Sequence, residues 1–79
     1  MEVKVELRGY LSSYAPPDAV SGRITLEIPL DSTVKNVLEK VHIPEKYVGL
    51  ILINGQKAGM PDRLRQGDTV TIFPVVAGG

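Results

Sequence analysis

The sequence has 79 residues, which suits one domain with a thin hydrophobic core and no deep active-site cavity. Apolar residues make up 43% of the sequence, which excludes a disordered chain. Nine basic residues balance nine acidic ones, so the net charge gives no indication of binding to nucleic acid or to an anionic membrane. Cysteine is absent, which excludes disulfides, thiolate metal sites and a cysteine nucleophile. Because disulfides are typical of exported proteins, we expect a cytoplasmic protein.

We expect neither a targeting segment nor a membrane span in this chain. Its first ten letters, MEVKVELRGY, alternate charged and apolar residues and contain no continuous apolar stretch of the kind a signal peptide needs. The longest apolar run, YVGLILI, is far shorter than the ~20 residues of a membrane helix. We therefore expect a single domain over residues 1–79.

Two early segments alternate with a period of two, which predicts half-buried strands. They are EVKVELR and RITLEI, whose mixed charges suit an antiparallel hairpin. A longer, proline-containing connection, GYLSSYAPPDAVSG, joins them. The period then changes, because four valines and leucines at i, i+3, i+4 and i+7 predict a helix over about Thr33 to Val41. The candidate N-caps are Asp31, Ser32 and Thr33, and Pro44 marks the end of the helix.

The second half of the chain predicts three more strands. The run VGLILI is followed by Asn54-Gly55, a hairpin signal that predicts a short return strand over Gln56 to Ala58. The last strand, TVTIFPV, follows a turn at Gly67-Asp68. One short helix can cover only one face of such a sheet. The prediction is therefore an α+β fold of the β-grasp type, with a mixed sheet of about four to five strands packed on one main helix.

The residues that could carry catalysis favour structural roles. The single histidine, His42, falls at the helix C-terminus, Asp62 and Asp68 fall in turns, and Lys57 falls on an edge strand. The glycines match no phosphate-binding loop. We predict a protein that is not an enzyme, with no catalytic residue, no metal site and no bound cofactor.

Two apolar features point to a partner surface. Phe73 falls on the face of the last strand that Thr69 and Thr71 mark as outward, which predicts an exposed contact unless the strand bends at Pro74 and folds Phe73 over the sheet edge. VGLILI is apolar on both faces, which a partner or a central position under the long first loop would explain equally well. We expect a partner interface of Phe73, Pro74 and Val75.

The tail is thin and ends in two glycines. The residues after Val76 have almost no side chains. The five residues that follow Pro74 can extend roughly 17 Å at ~3.4 Å per residue. Such a chain can enter a narrow channel and present the α-carboxylate of Gly79, although a frayed end is the alternative. We expect a flexible tail over about residues 75–79, and the residues predicted to thread into a partner are Val76, Ala77, Gly78 and Gly79.

The sequence resembles the ThiS/MoaD family of ubiquitin-like sulfur carriers in four features. These are the order of elements, the helix opening STVKNVLEKV, the LING turn and the ending from Gln66 to Gly79. This resemblance implies that an ATP-dependent, ubiquitin-activating-like adenylyltransferase adenylates Gly79. The adenylate then becomes a thiocarboxylate that donates sulfur to a biosynthetic enzyme. It also implies that Phe73 contacts both enzymes, and that ATP is used by the activating partner only.

The C-terminal sequence combines the endings of two branches of this family. FPVVAGG has the Phe-Pro of molybdopterin synthase small subunits and the Val-Val-Ala-Gly-Gly of thiamine sulfur carriers. Length and the long first loop favour the molybdopterin branch, with the synthase large subunit as sulfur acceptor. Val75 in place of a second proline keeps the thiamine branch open, with thiazole synthase as acceptor. A tRNA-thiolation carrier, a lysine-linked protein modifier and a plain interaction domain remain alternatives.

Overall fold

A computed structural model gives the fold and describes residues 1–17 and 19–76. Within these residues the chain forms five strands, one α-helix and two short 3₁₀ helices. The strands and the helix, in chain order, are β1 (Glu2–Leu7), β2 (Arg23–Glu27), α1 (Val34–Lys40), β3 (Val48–Ile53), β4 (Gln56–Ala58) and β5 (Thr69–Pro74). The predicted order and the α+β class are confirmed.

The strands form one mixed sheet in the order β2-β1-β5-β3-β4. β1 is antiparallel to β2 and parallel to β5, while β3 is antiparallel to both β5 and β4. The last strand of the chain therefore lies at the centre of the sheet, hydrogen-bonded on both sides. This topology places the end of β5 between the start of β3 and the segment that follows β1.

The core lies between one face of the sheet and α1. The apolar residues of β1 and β5 that alternate toward this face are fully buried, and the apolar stripe of the helix covers them. The four helix positions identified from their spacing are all in this core: Val34, Val37, Leu38 and Val41. The period-two and period-3.6 patterns thus identified the two surfaces that pack together.

Both ends of α1 are capped by specific contacts. Of the three candidate N-caps the structure uses Thr33, whose hydroxyl accepts from the Asn36 N–H at 3.3 Å while the Asn36 side chain accepts from the Thr33 N–H at 2.8 Å. At the other end His42 has φ 62° and donates to Glu39 O, while Ile43 N–H donates to Leu38 O at 3.0 Å. This is a Schellman motif, and it ends the helix before Pro44.

The connection between β1 and β2 is more ordered than its composition suggested. It contains a 3₁₀ helix, Gly9–Tyr14, whose Leu11 is fully buried, and this helix packs on β5 and β1. β3 lies inside the sheet between β5 and β4, and its Leu50 stays 37% exposed. The 3₁₀ helix follows β1 directly and so remains beside β1 and its parallel neighbour.

In the part of the chain that the structure describes, no helix has the length and apolar character that crossing a membrane requires.

Candidate functional site

Phe73 lies on the predicted face of β5 but is less exposed than predicted. Its neighbour on that face, Thr71, donates its hydroxyl to Glu6 Oε1 at 3.2 Å, and Leu50 of β3 lies directly opposite Phe73. Phe73 is half-buried, which is less exposure than the sequence predicted for an outward-facing contact. The reason is that β5 is the central strand, with neighbours on both sides. For the same reason Phe73 cannot fold over a sheet edge.

Apolar side chains surround the point where the chain leaves β5. They come from the first 3₁₀ helix, from the second 3₁₀ helix (Glu45–Tyr47), from β3 and from β5 itself. Tyr10 is 53% exposed, Tyr47 37%, Leu50 37% and Val75 43%. We call these four residues together with Phe73 the exit patch. Exposed aromatic and aliphatic groups concentrated in this way are typical of protein–protein contacts.

The two tyrosines hold the patch together. Their rings meet edge to face with centroids 6.4 Å apart, and the Tyr10 hydroxyl donates to the Val75 carbonyl at 3.2 Å. The Lys46 ammonium lies 5.3 Å from the centre of the Tyr47 ring, within the range of a cation–π contact. Tyr10 and Tyr47 are 37 residues apart in the chain (47 − 10), so only the tertiary fold brings them to one place.

Beyond the sheet the backbone stays attached for one further residue. The Val75 N–H donates to Tyr47 O at 2.9 Å, so regular contact continues past Pro74 into the range predicted as tail. Val76 is 83% exposed. The remaining residues predicted to thread into a partner, Ala77, Gly78 and Gly79, lie outside the described residues.

Charged side chains border the exit patch along β1 and β2. Glu6 pairs with Arg8 and Arg23, each at 3.3 Å, and both arginines remain substantially exposed to solvent. One carboxylate thus faces two guanidinium groups, while Glu2 and Glu27 on the same two strands balance the remaining positive charge of this cluster and of Lys4.

The residues assigned to structural roles from sequence have those roles. Asp62 accepts from Gly59 N–H and Asp68 from Arg65 N–H, each at 2.8 Å, as turn residues do. Lys57 is exposed on the three-residue edge strand β4. Over residues 1–17 and 19–76, no three histidine, aspartate or glutamate side chains lie close enough together to hold a metal ion.

Comparison with protein families identifies the relatives of this chain. The family described as Mut7-C ubiquitin matches residues 1–78. The chain belongs to the Mut7-C ubiquitin family. This family is MoaD/ThiS-like and ubiquitin-like, so the resemblance found in the sequence is confirmed at the level of the family.

Solved structures of this fold are similar over nearly the whole chain. SAMP1 of Haloferax volcanii, small archaeal modifier protein 1, has a TM-score of 0.75 at 22% identity, covering 100% of both chains. A protein described as molybdopterin converting factor subunit 1 of Pyrococcus furiosus has a TM-score of 0.70 at 22% identity, covering 95% of this chain and 98% of its own.

A third structure holds a member of this fold with a partner. It is the complex of subunits 1 and 2 of the molybdopterin-converting factor of Helicobacter pylori, with a TM-score of 0.58 at 20% identity and 100% of both chains covered. None of the curated proteins matches the sequence. At these identities the structural likeness establishes the ubiquitin-like β-grasp fold, while the family match establishes kinship.

For this ubiquitin-like protein, the sequence patterns identified the last strand but not the residues that contact its C-terminal end. Tyr10, Tyr47 and Gly49 all contact the exit, and none was singled out. One local signal was that two of the three tyrosines, Tyr10 and Tyr47, stand close to predicted strand ends. A glycine inside the apolar run VGLILI was a second, since glycine within a strand often marks a bulge or a close backbone approach.

Proposed function

We propose that this protein is a sulfur carrier whose C-terminal Gly79 carries the sulfur. The observation that carries the proposal is membership of a ubiquitin-like family over residues 1–78. The geometry supports it, because the central strand β5 leads the chain out of the sheet at Val75, beside the exit patch. The protein is then a cosubstrate of its partners and not itself a catalyst.

The proposed chemistry requires a free α-carboxylate on Gly79. A ubiquitin-activating-like adenylyltransferase binds ATP, and the carboxylate oxygen attacks the α-phosphorus, displacing pyrophosphate and forming an acyl-adenylate. A sulfide donor then attacks the glycyl carbonyl carbon, the bond to AMP breaks, and a thiocarboxylate remains. No side chain at position 79 hinders either attack. The sulfur therefore resides on the backbone terminus, which accords with a sequence that lacks cysteine.

The acceptor that we propose is a molybdopterin synthase large subunit. The support is the likeness to molybdopterin converting factor subunit 1 and the solved complex of such a subunit with subunit 2. Thiazole synthase and a tRNA-thiolation enzyme are the alternative acceptors. In each case Phe73, Pro74 and Val75 would lie at the interface, and the residues from Val76 to Gly79 would enter the partner.

A second function in the same family is conjugation to lysine. The likeness to a small archaeal modifier protein favours this candidate. It uses the same adenylate on Gly79, but a lysine amine takes the place of the sulfide donor and forms an isopeptide bond. A plain binding domain, the remaining alternative, would act through the exit patch without using Gly79.

The mass of untagged protein from its native cells tests the proposal directly. We expect a species heavier by the difference between sulfur and oxygen, localised to Gly79 by fragmentation. Deletion of Gly79 should abolish that species and ATP–pyrophosphate exchange with the activating enzyme. A wild-type protein that stays a carboxylate with the activating enzyme, ATP and sulfide supplied would refute the carrier, and lysine conjugates in extracts would then establish the modifier.

The exit patch is tested with two matched leucine substitutions. Leu50→Ala removes an apolar group from the patch, whereas Leu30→Ala removes one that is 78% exposed in the segment before α1. We expect Leu50→Ala to weaken binding to the activating enzyme by about fivefold or more and Leu30→Ala to leave it unchanged. Equal effects of the two substitutions on the dissociation constant would remove the patch from the interface.

A further inference from the structure

Pro74 lies in a narrow slot between two glycines. A Cβ added at Gly9, which follows β1, would lie 2.9 Å from Pro74 Cγ, and one added at Gly49 of β3 would lie 2.7 Å from Pro74 O. Both distances are shorter than real Cβ contacts allow, so neither position accepts a side chain without a shift. The two glycines belong to the segments that flank β5 on its two sides. We call Gly9, Gly49 and Pro74 the glycine slot.

The strand register shows how Gly49 takes this place. Val48 pairs with Pro74 and Leu50 pairs with Phe73, with a register shift between the two pairs, so one extra residue of β3 stands against β5. That extra residue is Gly49. Its backbone can approach the Pro74–Val75 peptide only because it has no Cβ.

Two hydrogen bonds close the slot on its outer side. The Val75 N–H donates to Tyr47 O at 2.9 Å, and the Val75 carbonyl accepts from the Tyr10 hydroxyl at 3.2 Å. Tyr10 is itself held by the edge-to-face contact with the Tyr47 ring. Both backbone polar groups of Val75 are therefore engaged, although its side chain is 43% exposed. The path of the backbone is determined up to this residue.

We propose that the glycine slot and Tyr10 are a positioning device that sets the direction in which the C-terminal residues leave the sheet. This inference rests on the proposed function, because direction matters only if the tail must enter a partner. A free chain loses conformational entropy for every residue that a partner orders. Fixing Pro74 and Val75 in advance removes that loss for two residues, so the partner orders only the residues from Val76 onward.

The first measurement needs no partner. Amide ¹H–¹⁵N heteronuclear NOE values at Val75 and Val76 report the order of the exit directly. We expect them to fall in Gly49→Ala and in Tyr10→Phe, and to be unchanged in the matched controls Gly59→Ala and Tyr14→Phe. A Cβ at Gly59 would have its nearest contact at an ordinary 3.5 Å, and Tyr14 belongs to the same 3₁₀ helix as Tyr10. Unchanged NOE values in Tyr10→Phe would overturn the inference, whatever Gly49→Ala shows.

The second measurement uses the activating enzyme, ATP and pyrophosphate exchange. We expect Tyr10→Phe and Gly49→Ala to raise KM for this protein by about threefold to tenfold with kcat nearly unchanged. The variants must order Pro74 and Val75 on binding, and this entropy cost raises the free energy of the bound ground state and of the transition state equally. Lowered KM would mean that Tyr10 restrains the tail, which contradicts the proposal.

The two proposals fail in different ways. Wild-type protein that is never adenylated refutes the carrier and the modifier together, and the NOE values then decide the positioning device alone. Wild-type protein that is adenylated, with identical KM and NOE values in the Tyr10→Phe and Tyr14→Phe variants, refutes the device and leaves the carrier intact. Tyr10→Phe removes a single hydroxyl, so it gives an answer even if Gly49→Ala fails to fold.

Discussion

Two residues with the same unusual backbone conformation have different reasons for it. Asn54 has φ 52° in the β3–β4 turn, and its side chain donates to Asp68 Oδ1 at 2.9 Å and accepts from Thr69 N–H at 3.0 Å. His42 has φ 62° at the end of α1, where its side chain is exposed. In this left-handed region an L-residue costs about 1–2 kcal/mol relative to the right-handed one. Only Asn54 recovers that cost through side-chain contacts that join two turns.

Glycine at these two positions should therefore change stability in opposite directions. We expect His42→Gly to raise the free energy of unfolding by about 0.5–1 kcal/mol, because relief of the left-handed strain exceeds the added freedom of the unfolded chain. Asn54→Gly should lower it by about 1–2 kcal/mol, because Asp68 Oδ1 loses its amide donor and the Thr69 N–H loses its side-chain acceptor. Urea unfolding of the two variants measures both changes, and the same sign for both would contradict this account.

At the scale of the element, α1 depends on groups outside itself. It has seven residues, which is too short for stability in isolation. Its first N–H groups donate to loop carbonyls, from Val34 to Asp62 O at 3.0 Å and from Lys35 to Met60 O at 3.1 Å. Thr33 caps the next one. The segment that precedes β5 thereby holds the helix against the sheet.

The cap predicts a measurable loss when its hydroxyl is removed. We expect Thr33→Ala to lower the free energy of unfolding by about 1 kcal/mol, because the Asn36 N–H loses its acceptor. Thr33→Ser is the matched control, since it keeps the hydroxyl and should lie within about 0.5 kcal/mol of wild type. Chemical unfolding of the three proteins decides the matter, and equal losses in both variants would show that the cap is not the cause.

At the scale of the whole molecule, the connection after β1 completes the core. Leu11 of its 3₁₀ helix is fully buried with the residues of β1, β5 and α1. Gly22, at the far end of the connection, lies so close to β1 that a Cβ there would be 2.4 Å from Leu7 O. The connection is thus packed at its start and at its end, and the small core depends on it.

Truncation of Leu11 should consequently damage the whole fold. We expect Leu11→Ala to cost about 2–5 kcal/mol, a large share of the roughly 4–12 kcal/mol available to 79 residues. Val20→Ala in the same connection is the control, because Val20 is 73% exposed and its loss should cost less than about 0.5 kcal/mol. Thermal unfolding followed by circular dichroism compares the two, and similar midpoints would show that the connection is not part of the core.

Local patterns in the sequence were sufficient for the strands, the α-helix and the face of Phe73, but not for the two 3₁₀ helices. Alternation identified β1, β2 and β5, helical spacing identified α1, and Asn54-Gly55 identified the β3–β4 hairpin. Each of these features is decided by neighbours a few residues apart, because side-chain direction repeats with the backbone period. The family resemblance rested on the same segments together with the ending FPVVAGG.

What surrounds the end of β5 was decided only by tertiary structure. The parallel pairing of β1 with β5 and the antiparallel pairing of β3 with β5 act together. They half-bury Phe73, bring Gly9 and Gly49 to Pro74, and place Tyr10 beside Tyr47. Sequence periodicity reports which way a side chain points but not which strand lies beside it. Strand neighbours are set by long-range packing, so the strands and the α-helix follow from the sequence alone while the geometry of the exit follows from the fold.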